Sequence, residues 1–169
     1  FTGFKVSDFL FLGEAALRTL LISVIAITSG SLFGILFGWL LAEFNRYLTS
    51  GLNLVLDIFR SVPLIIQLIL LYNFFPIVGI PLSPFVAGTI VLTIYTASLV
   101  AQVVRGGVEA VSLPMRRAAR SLGMTYFQDI RYVVFPIGLR AVLPAWTGVA
   151  LGVLKDSALV SVLGYIELL

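Results

Sequence analysis

Long uncharged stretches separated by short polar segments define the pattern of this chain. Residues 19–42 carry no charged side chain, and residues 61–104 form a second uncharged stretch of 44 residues. A transmembrane helix needs about 20 apolar residues, so the second stretch is too long for one span. Three prolines and a glycine between positions 76 and 84 divide it. The pattern predicts membrane helices at 19–42, 54–75, 83–104 and 133–154.

The two ends of the chain are less regular. Residues 1–18 mix charged and apolar side chains, and Ser7 can cap a short helix at the membrane interface. The favoured interpretation of this segment is an ordinary helical preface to the first span. Lys155 and Asp156 end the fourth predicted span, and ten uncharged residues follow, too few to cross a bilayer as a helix. We expect residues 157–166 to be a re-entrant or buried segment, or a further membrane helix to follow Leu169 in a chain truncated at this end. Four to five membrane helices then form one domain, residues 1–169.

The first predicted span carries glycines at positions 30, 34 and 38, every fourth residue. This spacing places all three on one helix face, where small residues permit close approach of a second membrane helix. A packing role is one interpretation. The other is that glycine is simply common in membrane helices.

Composition supports a membrane protein. Hydrophobic residues make up 60% of the chain and charged residues 11%, and the mean hydropathy is +1.10. The unbroken apolar runs favour an all-α fold over the alternating strands of a membrane β-barrel. The chain has no histidine and no cysteine, which removes the commonest general bases, thiol nucleophiles and zinc ligands. We therefore expect no catalytic residue, no metal site and no nucleic-acid partner.

Basic residues are concentrated in one part of the chain. Six of the eleven lie between Arg105 and Arg140, against two acidic residues in the same region, and the turn at 76–84 has none. Membrane proteins place arginine-rich loops in the cytoplasm. The asymmetry predicts a cytoplasmic loop at 105–132, within the basic region 105–140, and an N-terminus on the outside.

The same loop has the signals of two short helices. Ser112 can cap the first, Gly123 can end it in a left-handed conformation, and Thr125 and Gln128 have the spacing of a capping box. Helical spacing predicts one apolar face and one basic face. The apolar face consists of Met115, Ala118, Ala119 and Leu122, and the basic face of Arg116, Arg117 and Arg120. Such a loop can either lie on lipid headgroups or enter a cleft on another protein.

The sequence R-A-A-R-S-L-G from Arg117 to Gly123, closed by V-V-F-P at Pro136, resembles the EAA loop of bacterial ATP-binding-cassette (ABC) importer permeases. In that family E-A-A is followed by three residues, a glycine, nine residues and I-x-L-P. Ala118, Ala119 and Gly123 match this pattern, and the spacing is kept through Val133. The glutamate position holds Arg117.

Three further segments are similar to the permeases of polar amino acid importers. They are R-S-V-P-L-I-I-Q-L from Arg60, R-G-G-V from Arg105 and K-D-S-A-L-V-S-V-L-G from Lys155. The resemblance extends over about residues 19–169 and keeps the order of the segments. It departs at Gln102, where the family usually has an acidic residue.

The resemblance implies a type I ABC importer permease fold with about five membrane helices, in the bacterial inner membrane. It also implies two cytoplasmic ATPase subunits that bind ATP and Mg, an extracytoplasmic substrate-binding protein, a second permease subunit and an amino acid substrate. The chain itself then binds no cofactor, contacts lipid and is not an enzyme. Arg117 favours a heterodimer over a homodimer, with the other permease keeping the glutamate. The ATPase-coupling residues would be Arg116, Arg117, Ala118, Ala119, Arg120, Leu122 and Gly123.

Ionisable and polar residues inside the predicted spans are candidates for the substrate pathway. The candidates are Lys155, Asp156, Gln67, Thr96, Ser98 and Gln102. A structural role is the alternative: Lys155 and Asp156 would form an ion pair, and the neutral residues would form hydrogen bonds between helices. Asp57 and Arg60 have the spacing of an ion pair. Other functional classes are an ion-gradient-driven secondary transporter or channel subunit, and an intramembrane enzyme that uses Asp57 with Asp156.

Overall fold

A computed structural model of the chain describes residues 6–80 and 83–167. These residues form seven α-helices, with no strand among them. This confirms the predicted all-α fold. The helices are α1 (Val6–Glu43), α2 (Arg46–Ser61), α3 (Leu64–Val78), α4 (Pro84–Glu109), α5 (Leu113–Ser121), α6 (Tyr126–Asp129) and α7 (Phe135–Glu167), with a π-helical segment (Ile130–Val134) between α6 and α7.

Three helical segments of the described chain are long and apolar enough to cross a membrane. They are Val6–Glu43, Phe85–Glu109 and Tyr126–Val162. The pair α2 and α3 gives a fourth if it is counted as one broken span. The four predicted spans fall on these helices, and three of the helical segments extend or bend differently from the predicted ranges.

The first helix is longer than predicted. Ser7 lies inside α1, which continues unbroken to Glu43, so the separate interfacial helix capped by Ser7 is absent and the preferred interpretation, an ordinary helical preface to the span, agrees with the structure. The residues before the apolar stretch include strong helix formers. Glu14 and Arg18 add an ion pair four residues apart at 3.6 Å. The charged residues therefore extend the helix and do not end it.

The predicted single helix at 54–75 is bent by 100° between α2 and α3. Pro63 has no backbone N–H and disfavours the helical conformation at the preceding residue, and Val62 is extended, with φ −79° and ψ 127°. The Nε2 of Gln67 donates hydrogen bonds to the carbonyl oxygens of Phe59 at 2.7 Å and Val62 at 2.9 Å. Gln67 thus satisfies carbonyl groups that the break leaves without helical partners.

The last helix also continues past its predicted end. Lys155 and Asp156 lie inside α7, and residues 157–166 continue the same helix, so the prediction of a re-entrant segment was wrong, whereas Ser157 and Val160 are buried, as the second alternative expected. Charged side chains lower the hydropathy of a segment but leave its backbone hydrogen bonds unchanged. The end of the apolar stretch at Lys155 is therefore not the end of the helix.

The glycines at 30, 34 and 38 form the contact between α1 and α4, which confirms the packing interpretation. All three are buried. A Cβ atom at Gly34 would lie 2.5 Å from the Cβ of Val100, and one at Gly30 would lie 2.6 Å from the Cβ of Thr96. Any larger residue would force the two helices apart. Next to this contact, a core of large apolar side chains joins α1, α3, α4 and α7 through Ile22, Leu68, Leu92, Val153 and Val160.

Replacing Gly34 by leucine should therefore destabilise the protein. Overpacking of a tight contact costs about 1–3 kcal/mol, and more when backbone must move. We expect a lower midpoint of thermal unfolding in detergent, followed by size-exclusion chromatography after heating. Gly13→Leu is the matched control, since nothing lies within 4 Å of a Cβ at that position. Equal midpoints for the two variants would contradict the packing role.

Candidate coupling site and substrate pathway

The first helix of the basic loop begins and ends as its sequence predicts. The Ser112 hydroxyl accepts a hydrogen bond from the Met115 N–H at 3.4 Å. Gly123 has φ +90°, a conformation that is unfavourable for residues with a Cβ atom. The N–H of Met124 donates to the Ala119 carbonyl at 3.2 Å and the N–H of Gly123 to the Arg120 carbonyl at 3.0 Å. These two bonds form a Schellman motif, which ends α5 abruptly.

The second helix of the loop begins with the predicted capping box. The Gln128 N–H donates to the Thr125 hydroxyl at 3.3 Å, and the Thr125 N–H donates to the Gln128 side chain at 2.9 Å. From this point the chain is helical through the π-helical segment and into α7. The loop is therefore two short capped helices that join at Gly123, and the second leads directly into a membrane-spanning helix.

The two adjacent alanines of the EAA-like sequence lie in different environments. Ala119 is buried, with 6% of its surface exposed, whereas Ala118 is exposed. Leu122 is 84% exposed, and Arg117 and Arg120 are also exposed. The predicted apolar face is thus divided, so that Ala119 packs within the protein while Ala118 and Leu122 face outward.

Arg116 points inward and holds the loop to the end of α1. Its guanidinium donates to both carboxylate oxygens of Glu43, at 2.6 and 3.1 Å, and to Asp129 Oδ2 at 2.9 Å. The side chains of Arg116, Glu43 and Asp129 are only 16%, 10% and 2% exposed. The prediction grouped Arg116 with the exposed arginines, but its two carboxylate partners place it on the inner side of α5.

Two aromatic residues complete this cluster. The Tyr126 hydroxyl donates to Glu43 Oε2 at 2.7 Å, and the indole N–H of Trp39 donates to the Tyr126 oxygen at 3.1 Å. The hydrogen bond with Glu43 raises the pKa of Arg116 above its usual value, so the guanidinium stays charged. We call Arg116, Glu43, Asp129, Tyr126 and Trp39 the loop anchor.

Sequence reasoning missed four residues of the loop anchor. Glu43 is 73 positions from Arg116, and no local spacing relates two residues so far apart. The only available signal was chemical: an arginine near a membrane surface requires a partner, and acidic residues are few in this chain. The anchor links α1, α5 and α6, so these elements can move as one unit.

The six candidates for the substrate pathway do not converge on one site. Thr96 and Ser98 are buried, and their hydroxyls donate to carbonyls of their own helix, those of Leu92 and Tyr95, at 2.7 Å each. Both take part in helix packing. Gln67 lies at the α2–α3 bend, as described above. Gln102, by contrast, reaches across to Asn53 of α2 at 3.5 Å.

Lys155 and Asp156 lie on neighbouring positions of α7. Lys155 is exposed and Asp156 is half-buried, close enough to Tyr95 to interact electrostatically. Within the described residues neither takes part in an ion pair. Consecutive helix positions point about 100° apart, which separates the two charged groups. The predicted ion pair between Asp57 and Arg60, in contrast, is formed.

The long apolar helices, the bent helix pair and the ordered loop define the chain as a polytopic helical membrane protein. The sequence model of one family, described as binding-protein-dependent transport system inner membrane component, matches residues 30–167. The chain belongs to this family.

Similar proteins are named for amino acid transport. A Rickettsia conorii protein named as a glutamine transport system permease protein is 33% identical over 160 residues, which cover 94% of this chain and 73% of that protein. The glutamine transport system permease protein of Escherichia coli K12 is 30% identical over 158 residues, which cover 92% and 72% of the two chains.

Solved structures show the same fold. A chain from the crystal structure of an amino acid ABC transporter with histidines matches with a TM-score of 0.80 and 30% identity, over 96% of this chain and 78% of that one. A chain of the MetNI methionine ABC transporter in an inward-facing conformation matches with a TM-score of 0.78 at 24% identity, over 92% and 75% of the two chains. These matches confirm the type I ABC importer permease fold.

The family also confirms the predicted role. The chain is the permease of a binding-protein-dependent importer in the inner membrane, and such permeases work with ATPase and binding-protein partners. Membership of this family favours a binding-protein-dependent importer over the alternative, an ion-gradient-driven transporter or channel subunit. The family is a transport family, in agreement with a non-enzymatic role for this subunit.

Proposed function

We propose that this permease carries a polar amino acid, with glutamine the first candidate, and that the α5–α6 loop couples transport to cytoplasmic ATPase subunits. The substrate class is supported by relatives named as glutamine permeases that are 33% and 30% identical to the chain. The single observation that carries the coupling role is the geometry of α5. Its outer face is exposed at Ala118 and Leu122, while its inner face is fixed to α1 through Arg116.

The contact surface for the ATPase consists of the outward residues of the loop. Ala118 and Gly123 are small and let the surfaces approach closely, Leu122 supplies apolar area, and Arg117 and Arg120 supply charge at the rim. Two arrangements of the ATPase cleft bind this surface with different affinity, and that difference is the coupling free energy. Arg116 and Ala119 act from within, by holding α5 in place. ATP and Mg bind to the ATPase, and this chain needs no cofactor of its own.

The proposed orientation in the membrane is based on the distribution of basic residues. The basic region 105–140 lies in the cytoplasm, the N-terminus lies outside and residues 1–169 belong to one transmembrane domain. Large apolar side chains on the surface of the long helices face lipid or another subunit, among them Leu32, Phe33, Leu36 and Leu151. Gln102, Lys155 and Asp156 are the proposed pathway residues that are not committed to helix packing.

The proposed function is tested by uptake into proteoliposomes that contain the complete transporter. Accumulation of radiolabelled L-glutamine should require ATP inside and the binding protein outside, and a panel of other L-amino acids should define the substrate class. An ion gradient without ATP should give no accumulation. Uptake that follows the ion gradient and ignores the binding protein would contradict the proposal.

We further propose that the functional permease is a heterodimer. Arg117 is exposed at the position where the family usually has a glutamate, so a second permease with the glutamate would restore charge complementarity at one of the two ATPases. Purification through a tag on this chain is expected to bring down a second permease species, identified by mass spectrometry. A complex that holds this permease alone and is active with the ATPase would show a homodimer instead.

A further inference from the structure

Helix α2 carries a continuous polar stripe that the coupling role does not use. Its polar residues recur at intervals of three and four, which places them on one helix face. They are Arg46, Thr49, Ser50, Asn53, Asp57 and Arg60. The opposite face is apolar and exposed at Leu48, Val55 and Ile58. In a membrane protein such a stripe requires polar surroundings, since unpaired polar groups facing lipid are unfavourable.

The stripe lines a cavity of about 620 Å³. Five of its residues, from Arg46 to Asp57, form one wall, and the other walls are formed by Leu41 of α1 and Arg105 of α4. Gln102 lies one turn from Arg105 and contacts Asn53 across the gap between the helices. Cavities that bind small molecules commonly measure about 300–1,000 Å³, so this space is large enough for an amino acid with some water.

The charges of the lining match a zwitterion. Arg46 and Arg105 can bind a carboxylate, and Asp57 can bind an ammonium group. Arg60 engages Oδ1 of Asp57. Arg105 is paired with Glu109 at 3.1 Å, but the Glu109 side chain is 55% exposed, and such pairs contribute little free energy. Arg105 can therefore exchange this partner for a ligand.

Neutral polar groups of the lining supply contacts for a polar side chain. The Asn53 amide oxygen accepts from Gln102, so its amide N–H groups are the ones offered to a ligand, and the Ser50 hydroxyl, which donates to the Tyr47 carbonyl, can still accept a hydrogen bond. An apolar amino acid would make no hydrogen bond with the Asn53 N–H groups, which discriminates against it. The lining thus fits a polar amino acid in particular.

The cavity lies at the end of the molecule that carries the loop. Leu41 and Arg46 flank Glu43, the residue of α1 that holds Arg116, and α4 continues from Arg105 toward α5. Movement of the loop therefore moves two walls of the cavity. We propose that this cavity is a binding site for the transported amino acid on the cytoplasmic half of its path. This inference rests on the proposed function of the permease, amino acid transport, and adds the place where the transported amino acid binds.

The first test uses chemical protection. This chain has no cysteine, so Ser50→Cys introduces a single thiol into the cavity, and Tyr47→Cys, at a position of α2 that is 89% exposed and does not line the cavity, is the matched control. The complete transporter in nanodiscs is treated with a small charged methanethiosulfonate reagent, and modification is followed by mass spectrometry of the permease. Near-saturating L-glutamine should slow modification of Ser50→Cys about fivefold or more and leave Tyr47→Cys unchanged. The same rate with and without L-glutamine at Ser50→Cys would overturn the proposal.

The second test uses transport. Asn53→Leu and Arg105→Gln should each lower uptake about tenfold or more, because each removes a contact to the amino acid. ATP hydrolysis stimulated by the binding protein should stay within about twofold, since the loop is unchanged. Arg18→Gln is the control, since Arg18 is also paired with a glutamate four positions away but lies on exposed α1 surface. Uptake at the wild-type rate in both cavity variants would overturn the proposal.

Different results would contradict the proposed function and the cavity assignment. If wild-type uptake needs neither ATP nor the binding protein, the proposed function is wrong. If wild-type uptake needs both, while Ser50→Cys is not protected and the cavity variants transport normally, only the cavity assignment is wrong. Where a cavity variant loses both uptake and ATP hydrolysis, the protection of Ser50→Cys decides between a lost site and a damaged fold.

Discussion

Replacing Arg116 by leucine is expected to abolish ATP-driven uptake in a permease that still inserts into the membrane. The substitution leaves the carboxylates of Glu43 and Asp129, 10% and 2% exposed, without their cation. Removing one partner of a buried ion pair costs about 3–5 kcal/mol, because the remaining charge is left uncompensated. This free energy is lost from the attachment of α5 and α6 to α1. The loop would then move without moving the membrane helices.

The loss of attachment is measurable apart from transport. Hydrogen–deuterium exchange of the α5 amides should become faster by about a hundredfold or more, in line with a local loss of about 3 kcal/mol. Arg131→Leu is the control, since it removes an exposed charge of the same loop region. Combining Arg116→Leu with Glu43→Gln and Asp129→Asn should recover part of the protection, since no buried charge is then unpaired. Unchanged exchange and uptake in Arg116→Leu would contradict the anchor.

Replacing Ala118 by tryptophan should weaken binding of the ATPase and leave the permease itself intact. The residue is exposed on the outer face of α5, where a large side chain holds two surfaces apart. A misfit of this kind costs about 1–3 kcal/mol, which corresponds to about a 5- to 150-fold loss of affinity. Affinity is measured by titrating purified ATPase onto the permease in nanodiscs.

The neighbouring alanine provides the sharpest contrast. Ala119 is buried, so Ala119→Trp should lower the thermal stability of the permease, whereas Ala118→Trp should not. Ala16→Trp, at an exposed position of α1 far from the loop, should change neither affinity nor stability. Normal ATPase affinity in Ala118→Trp would mean that the outer face of α5 is not the contact surface.

The features that could be predicted from the sequence are those that depend on residues close together in the chain. The caps at Ser112 and Thr125 and the stop at Gly123 depend on residues within a few positions of one another, and all three occur in the structure. The close approach of α1 and α4 followed from the spacing of three glycines. Hydropathy indicated where the long helices lie but not where they end, because a charge such as Lys155 changes solvation without breaking a helix.

Long-range partners could not be predicted in the same way. The sequence places Arg116 beside Arg117, and only the fold shows that one is bound between two carboxylates while the other is exposed. The difference between Ala118 and Ala119 has the same origin, since both fit the helical pattern of the loop. The bend at Pro63 had a visible cause, but its angle depends on how α2 and α3 pack on α1 and α4.

The central claim is that the outer face of the α5–α6 loop contacts the ATPase. A photo-crosslinking amino acid at Leu122, which is 84% exposed, tests it most directly, with the same substitution at Leu151 of α7, 55% exposed, as the control. In the complete transporter in nanodiscs, irradiation should join position 122 to the ATPase subunit and should not join position 151 to it. Position 122 crosslinking to lipid alone, in a transporter that still imports its amino acid, would contradict the claim.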